Sequence, residues 1–123
     1  MSKEILHAFL VLRNQVKLYH WQTRSYGRHK ATDDLVASLD ANIDKFTEAY
    51  MGRYGQPKMT AATGKIQIYD TTDKRAPELL VEAVHWMTKS LPKYLSKNDT
   101  DLLNIRDEIL ADLQQARFLF TLA

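Results

Sequence analysis

Residues 35–50, LVASLDANIDKFTEAY, decide how the rest of the chain is read. Leu35, Leu39, Ile43, Phe46 and Tyr50 recur at steps of four, four, three and four, the spacing of one face of an α-helix. Asp40, Asp44, Lys45 and Glu48 fill the positions between, so the remaining faces are polar. The pattern runs back to about Arg28 and forward to about Arg53, where Gly52 and Gly55 offer stops. Three more segments share the period. Upstream, about Ser2 to Arg24, the stripe is Ile5, Phe9, Leu12, Val16 and Tyr19, with Ser2 placed as a cap and Gly27 interrupting beyond. Downstream, Pro77 suits a first helical turn, and Leu79, Ala83, Trp86 and Met87 lead to about Leu95, with a bend expected at Pro92. The last segment, about 99–121, opens beside Asn98 with Asp101 three residues on, and carries Leu102, Ile105, Ile109, Leu113, Ala116 and Phe120.

The linker between the second and third segments, about Tyr54 to Arg75, holds Gly55, Pro57 and Gly64. Within it Lys65-Ile66-Gln67-Ile68-Tyr69 alternates with period two but has no second strand to pair with, so an extended segment is expected there and not a sheet. Ile66, Ile68 and Tyr69 are expected to cover the side of the bundle or of a partner. Two short connections and a long central one predict an all-α four-helix bundle of ferritin-like arrangement, with a long crossover between helices 2 and 3. At 123 residues the chain is one domain's worth of polymer. Only 4 Gly and 3 Pro are present, too few turn formers for a sandwich or barrel. The lack of cysteine excludes disulfides, thiolate metal sites and cysteine nucleophiles, so any metal must be held by His, Asp or Glu. The net charge of +2 gives no electrostatic case for nucleic acid. With no membrane-length apolar run and no signal peptide, a cytoplasmic protein is expected.

The polar residues are not scattered evenly. At about 100° per residue, Asp33, Asp40, Asp44 and Glu48 fall in one band beside the core stripe of the second helix, together with Ala37, Ala41 and Met51. His29 precedes Asp33 by four, and Asp44 precedes Glu48 by four, so each pair shares a face. Arg24, Arg28 and Lys30 lie near enough in sequence to pair with this band. The first helix carries a second apolar flank, Leu6 and Leu10, which implies a second burial surface. His20 falls between the two faces, at a border where carboxylates of a neighbouring chain can meet it. Glu82 and His85 have the Glu-x-x-His spacing of intra-bundle di-metal sites, but both turn away from their helix's core face and are read as a solvent face. Arg106 and Arg117 sit at the edge of the last helix's apolar face, where snorkelling or a salt bridge accounts for them. His7 is read as exposed.

The stretches Leu18-Tyr19-His20-Trp21-Gln22-Thr23, His29-Lys30-Ala31-Thr32-Asp33 and Asp44-Lys45-Phe46-Thr47-Glu48 resemble the Dps mini-ferritins, and the chain is also similar to small ferritin-like proteins of phages and large algal viruses. The Dps resemblance implies that His20, His29 and Asp33 of one subunit, with Asp44 and Glu48 of its two-fold partner, are the ligands of an inter-subunit iron(II) site, in a homodimer or higher oligomer. It implies ferroxidase and iron-sequestering activity, with peroxide or dioxygen as oxidant. Two imidazoles and three carboxylates also suit manganese or zinc. Both histidines must be neutral to ligate, so binding should weaken as the pH falls towards about 6. The first alternative is a non-catalytic dimeric scaffold or protein-interaction module whose acidic band is merely solvated. The second is a nucleic-acid-binding protein with a rim of Lys17, Arg24, Arg28, Lys30, Arg53 and Lys58, and with Trp21 and Tyr26 as stacking platforms. The acidic band argues against it.

Overall fold

The structure is a computed structural model and describes residues 3–122. Those residues form four helices and no strand: α1 (Lys3–Gln22), α2 (Tyr26–Tyr54), α3 (Ala76–His85) and α4 (Thr100–Thr121). The expected cap at Ser2 lies outside the described residues. Beyond His85, α3 runs on through a π turn (Trp86–Ser90) and a 3₁₀ turn (Leu91–Tyr94). α1 packs on α2, α2 on α4, and α4 on α3. The stripes read from the sequence meet in one core that includes Phe9, Val16, Leu39, Phe46, Leu80, Met87, Leu102, Ile109 and Leu113. Phe9 and Phe46 meet edge to face at 5.0 Å in its middle.

The helix ends follow local chemistry. α2 begins earlier than its stripe implied. Ser25 is its N-cap and accepts a bond from the Arg28 N–H at 3.2 Å, which places Gly27 inside the helix. Gly52 is helical too. The stop is Gly55, whose φ of 82° is left-handed and whose N–H bonds back to the Met51 carbonyl at 2.8 Å.

The distortion of α3 comes before the proline. Leu91 donates to the Trp86 carbonyl, five residues back. In an α-helix that N–H would serve Met87, and Pro92 has no N–H to offer in its place. Arg106 supplies the missing donor, its Nη1 reaching the Met87 carbonyl at 2.9 Å while Nε bonds Asp107 at 2.8 Å. The edge position of Arg106 thus serves a buried carbonyl as well as the expected salt bridge.

The long connection, residues 55–75, is held to α1 by polar side chains. His7 Nε2 bonds the Lys65 carbonyl at 2.7 Å, so His7 is not the idle surface residue its position implied. Gln15 is buried and acts as a short piece of sheet edge. Its Nε2 donates to the Tyr69 carbonyl at 2.7 Å, and its Oε1 accepts from the Tyr69 N–H at 3.0 Å. Gln22 donates to the Asp70 carboxylate at 2.7 Å and accepts from the Thr71 N–H at 3.1 Å. From His7 to Gln15 the helix rises about 12 Å, and from Lys65 to Tyr69 an extended chain advances about 13 Å, so the two run in step. This keeps the segment extended without a partner strand. Gln15→Leu is expected to free it: amide exchange at Tyr69 should rise at least tenfold and proteolysis should shift into residues 55–75, with the helices still protected. Unchanged protection at Tyr69 would show that the strap is held by other contacts.

Candidate functional site

The turn between α1 and α2 is only Thr23-Arg24-Ser25, so the last turn of α1 and the first turn of α2 stand side by side. His20 and His29 therefore meet. Their rings stack at 3.9 Å with an interplanar angle of 15°. His29 Nδ1 lies 2.9 Å from the His20 carbonyl, which can only accept, so Nδ1 carries the proton. His20 Nδ1 lies 3.0 Å from the Thr32 hydroxyl. That hydroxyl donates to the Arg28 carbonyl at 2.7 Å, with the His29 carbonyl at 3.1 Å, and so accepts from His20. Each neutral ring then keeps an in-plane lone pair on Nε2. His20 Nε2 faces Asp33 Oδ1 across 4.0 Å, two acceptors with no proton between them. Asp33 is 61% exposed on its side chain, whereas His20 is buried.

Burial, followed by the charge of His29, lowers the pKa of His20 from its ordinary 6.5. The ring is neutral at pH 7. The unfolded chain takes up this proton more readily than the folded one, so the stability contributed by the neutral ring is complete above 6.5 and is lost as the pH falls below it. Thermal denaturation between about pH 7.5 and about pH 5.5 should show a falling Tm in the metal-free protein, and a shallower fall in His20→Gln. Parallel curves for the two proteins would assign the acid sensitivity elsewhere.

Asp44 and Glu48 form a second cluster, about three to four turns beyond Asp33 along α2, and both are exposed. The Glu48 carboxyl is raised above its ordinary value of 4.5 by its hydrogen bond to Asp44 and then by the Asp44 charge. Along the helix Asp44 lies about 16 Å from Asp33, so the five residues do not gather within one chain. Among the described residues no group of three or more His, Asp or Glu is drawn together tightly enough to hold a metal ion. The structure thus brings His20, His29 and Asp33 to one place, and Asp44 and Glu48 to another, on the same outer side of α1 and α2.

Beside Asp44, along the seam of α1 and α2, lies a shallow groove of about 430 Å³, whose walls include Leu6, Leu10, Ile43 and Asp44 itself. Arg13 bridges it, bonding both oxygens of Asp40 at 2.8 and 3.3 Å. Ala37 and Ala41 are exposed along α2, and Trp21 projects into solvent with Lys17 Nζ 5.2 Å from its ring. Arg28 does not join the acidic band. It turns inward, donating to the Tyr19 hydroxyl and to the carbonyls of Asp73 and Phe120. Arg53 bonds Asp99 and Asp101. Glu82 and His85 are both exposed. Thr32 and Asp73 carry no signal in the sequence pattern. Asp73 collects bonds from Tyr19, Thr23 and the Arg24 N–H, and these hold its carboxyl below the usual value.

Three comparisons bear on what this arrangement belongs to. A family model described as a family of unknown function, DUF5856, matches residues 20–120. A relative from Enterobacteria phage T4, the uncharacterized 14.6 kDa protein in the mobD-ri intergenic region, is 29% identical over 83 residues, which is 68% of this chain. The chain spans 64% of that relative's length. No solved structure matches. These findings correct the Dps and ferritin-like resemblance: the stretches that carried it fall almost wholly inside the DUF5856 match. Five polar residues at i, i+4 spacing on two adjoining helices are too short a pattern to define a family, because any charged helix face can supply such pairs.

Proposed function

The chain belongs to the DUF5856 family of unknown function, and we propose that it binds a divalent metal ion, iron(II) foremost, at a site completed by a second copy of itself. One observation carries this reading. His20 and His29 both have Nδ1 fixed by an internal acceptor, which leaves both Nε2 atoms unbonded, that of His20 facing the Asp33 carboxylate. Fixing a ligand histidine through its other nitrogen is how metal sites set the tautomer and the ring orientation. A cation between His20 Nε2 and Asp33 would relieve the apposition of two acceptors, and at pH 7 it would meet His20 in its neutral form.

The second half of the site comes from symmetry. A two-fold axis crossing α2 between the clusters would pass near Ala37 and Ala41, small enough for two helices to approach closely, and near Asp40, already neutralised by Arg13. It would set Asp44 and Glu48 of each copy against His20, His29 and Asp33 of the other. Three carboxylates and two imidazoles favour iron(III) over iron(II), so the set would promote loss of an electron from bound iron(II) to peroxide or dioxygen. Manganese and zinc fit the same donors. Iron is then the substrate, and the chain's part is to hold and orient it.

Anaerobic titration with iron(II), followed by calorimetry and native mass, tests this. Saturable binding by a dimer, at two sites per dimer, is expected. No saturable binding, or binding unchanged in the His20→Ala/Asp44→Ala double variant, would overturn it. A metal-free dimer that persists would then leave this face as a protein-interaction surface alone.

A further inference from the structure

Three of the four neighbouring seams of the bundle are closed by helix packing. The remaining one, between α1 and α3, holds a cavity of about 350 Å³ with apolar walls that include Val11, Leu12, Ala83 and Met87, and with Trp86 and Tyr69 as its aromatic sides. That volume falls in the range of small-molecule pockets, roughly 300–1,000 Å³. The two distortions of the fold meet here: the π turn begins at Trp86, and the strap tied to Gln15 brings in Tyr69. A second cavity of about 270 Å³ continues from the first and shares Tyr69, Leu79 and Glu82 with it. This outer part is polar and acidic, with Asp70, Glu78 and Glu82 on its rim. Arg75, the rim's cation, pairs with Glu78 at 3.4 Å. No described residue pairs with the Glu82 carboxylate.

We propose that the α1–α3 seam binds an amphiphilic organic cation, its hydrocarbon body between Ala83 and Val11 and its ammonium group at Glu82 beside the faces of Trp86 and Tyr69. Acidic charge beside aromatic faces is the chemistry that recognises ammonium groups. An anionic amphiphile would meet the same acids as repulsion. A partner helix is a poor occupant, since the α1 wall from His7 to Val16 is only about 14 Å long. None of these residues takes part in the His20–Glu48 reading, so the two proposals stand or fall separately.

The test uses the full chain carrying Trp21→Phe, which leaves Trp86 as the single tryptophan reporter. Titration with n-octylammonium should change Trp86 emission saturably, and n-octanoate should bind at least about tenfold more weakly. Glu82→Gln, an exposed position that leaves the fold intact by circular dichroism, should abolish the preference for the cation. Ala83→Phe should block the cavity and remove binding of both. Equal affinity for octanoate, a preference unchanged in Glu82→Gln, or no saturable binding of the amine would overturn the proposal. So would an emission change that tracks self-association in sedimentation and not the amine.

Discussion

Asp99→Ala is expected to lower stability by about 3 kcal/mol, the scale for removing a buried acceptor and stranding the donors it serves. Asp99 is 1% exposed at the start of α4. Its carboxylate accepts from the Ser96 N–H at 2.8 Å and from the Tyr54 hydroxyl, and it forms an ion pair with Arg53 Nε at 3.3 Å. It therefore ties the end of α2 to the start of α4 and closes the Ser96–Asp99 turn that leads into α4. Alanine would leave a backbone N–H and a phenol without acceptors, while Arg53 keeps only Asp101, at 2.8 Å. The bond to Asp99 also raises the Tyr54 phenol above its ordinary value of 10.0. Thermal unfolding should show a Tm roughly 10 °C lower. Asp101→Ala removes the exposed member of the same network and should lower Tm far less, since water screens an exposed ion pair. Equal losses in the two variants would refute the assignment of the burden to Asp99.

Why was Asp99 silent in the sequence while Leu102 and Ile105 were not? The four helices were legible because burying one face of a helix imposes a period of 3.6 on apolar residues, and that period survives in the sequence without any knowledge of the partner. Side-chain bonds to distant backbone leave no period. Gln15, Gln22 and His7 look like ordinary polar helix positions until the strap is seen beside them. Arg106 could be placed at an edge, but its carbonyl acceptor exists only because Leu91 and Pro92 together deprive Met87 of a donor. The helix limits erred for a related reason. Residue type alone cannot tell Gly27 and Gly52, which are helical, from Gly55, one of the two stops the sequence offers and the one that ends α2 through a positive φ, while Ser25 sets the start through a cap bond.

The candidate site shows the same division. The closeness of His20, His29 and Asp33 follows from an i, i+4 pair and a three-residue turn, both of which are local. The tautomer of His20 depends on Thr32, a residue that no charge or metal-ligand pattern singles out. The proposed link from these three to Asp44 and Glu48 would lie between two copies of the chain. It rests on the distance along α2, which is too long to span within a protomer and of the length that an antiparallel pairing of two copies would bring to register.

Mixing two inactive variants should therefore restore iron(II) binding. His20→Ala/His29→Ala removes the imidazole half of the site, and Asp44→Ala/Glu48→Ala removes the carboxylate half from the other end of the same face. In a homodimer of either variant both sites are incomplete, and saturable iron(II) binding should fall at least a hundredfold in affinity, the loss of two ligands from one ion. After unfolding and co-refolding of equal amounts, half of the dimers would be mixed. Each mixed dimer carries one site with all five ligands and one site with Asp33 alone, so about a quarter of wild-type capacity should return, at wild-type affinity. A site built within one chain cannot be rescued in this manner, because every chain in the mixture lacks two ligands. Zero recovery, with mixed dimers present by native mass, would exclude sharing between copies. Full-affinity binding by either variant alone would exclude the five-residue site altogether. Because the ligands removed from α2's far end are exposed and those at its near end lie at a helix junction, circular dichroism of each variant separates lost ligation from lost folding.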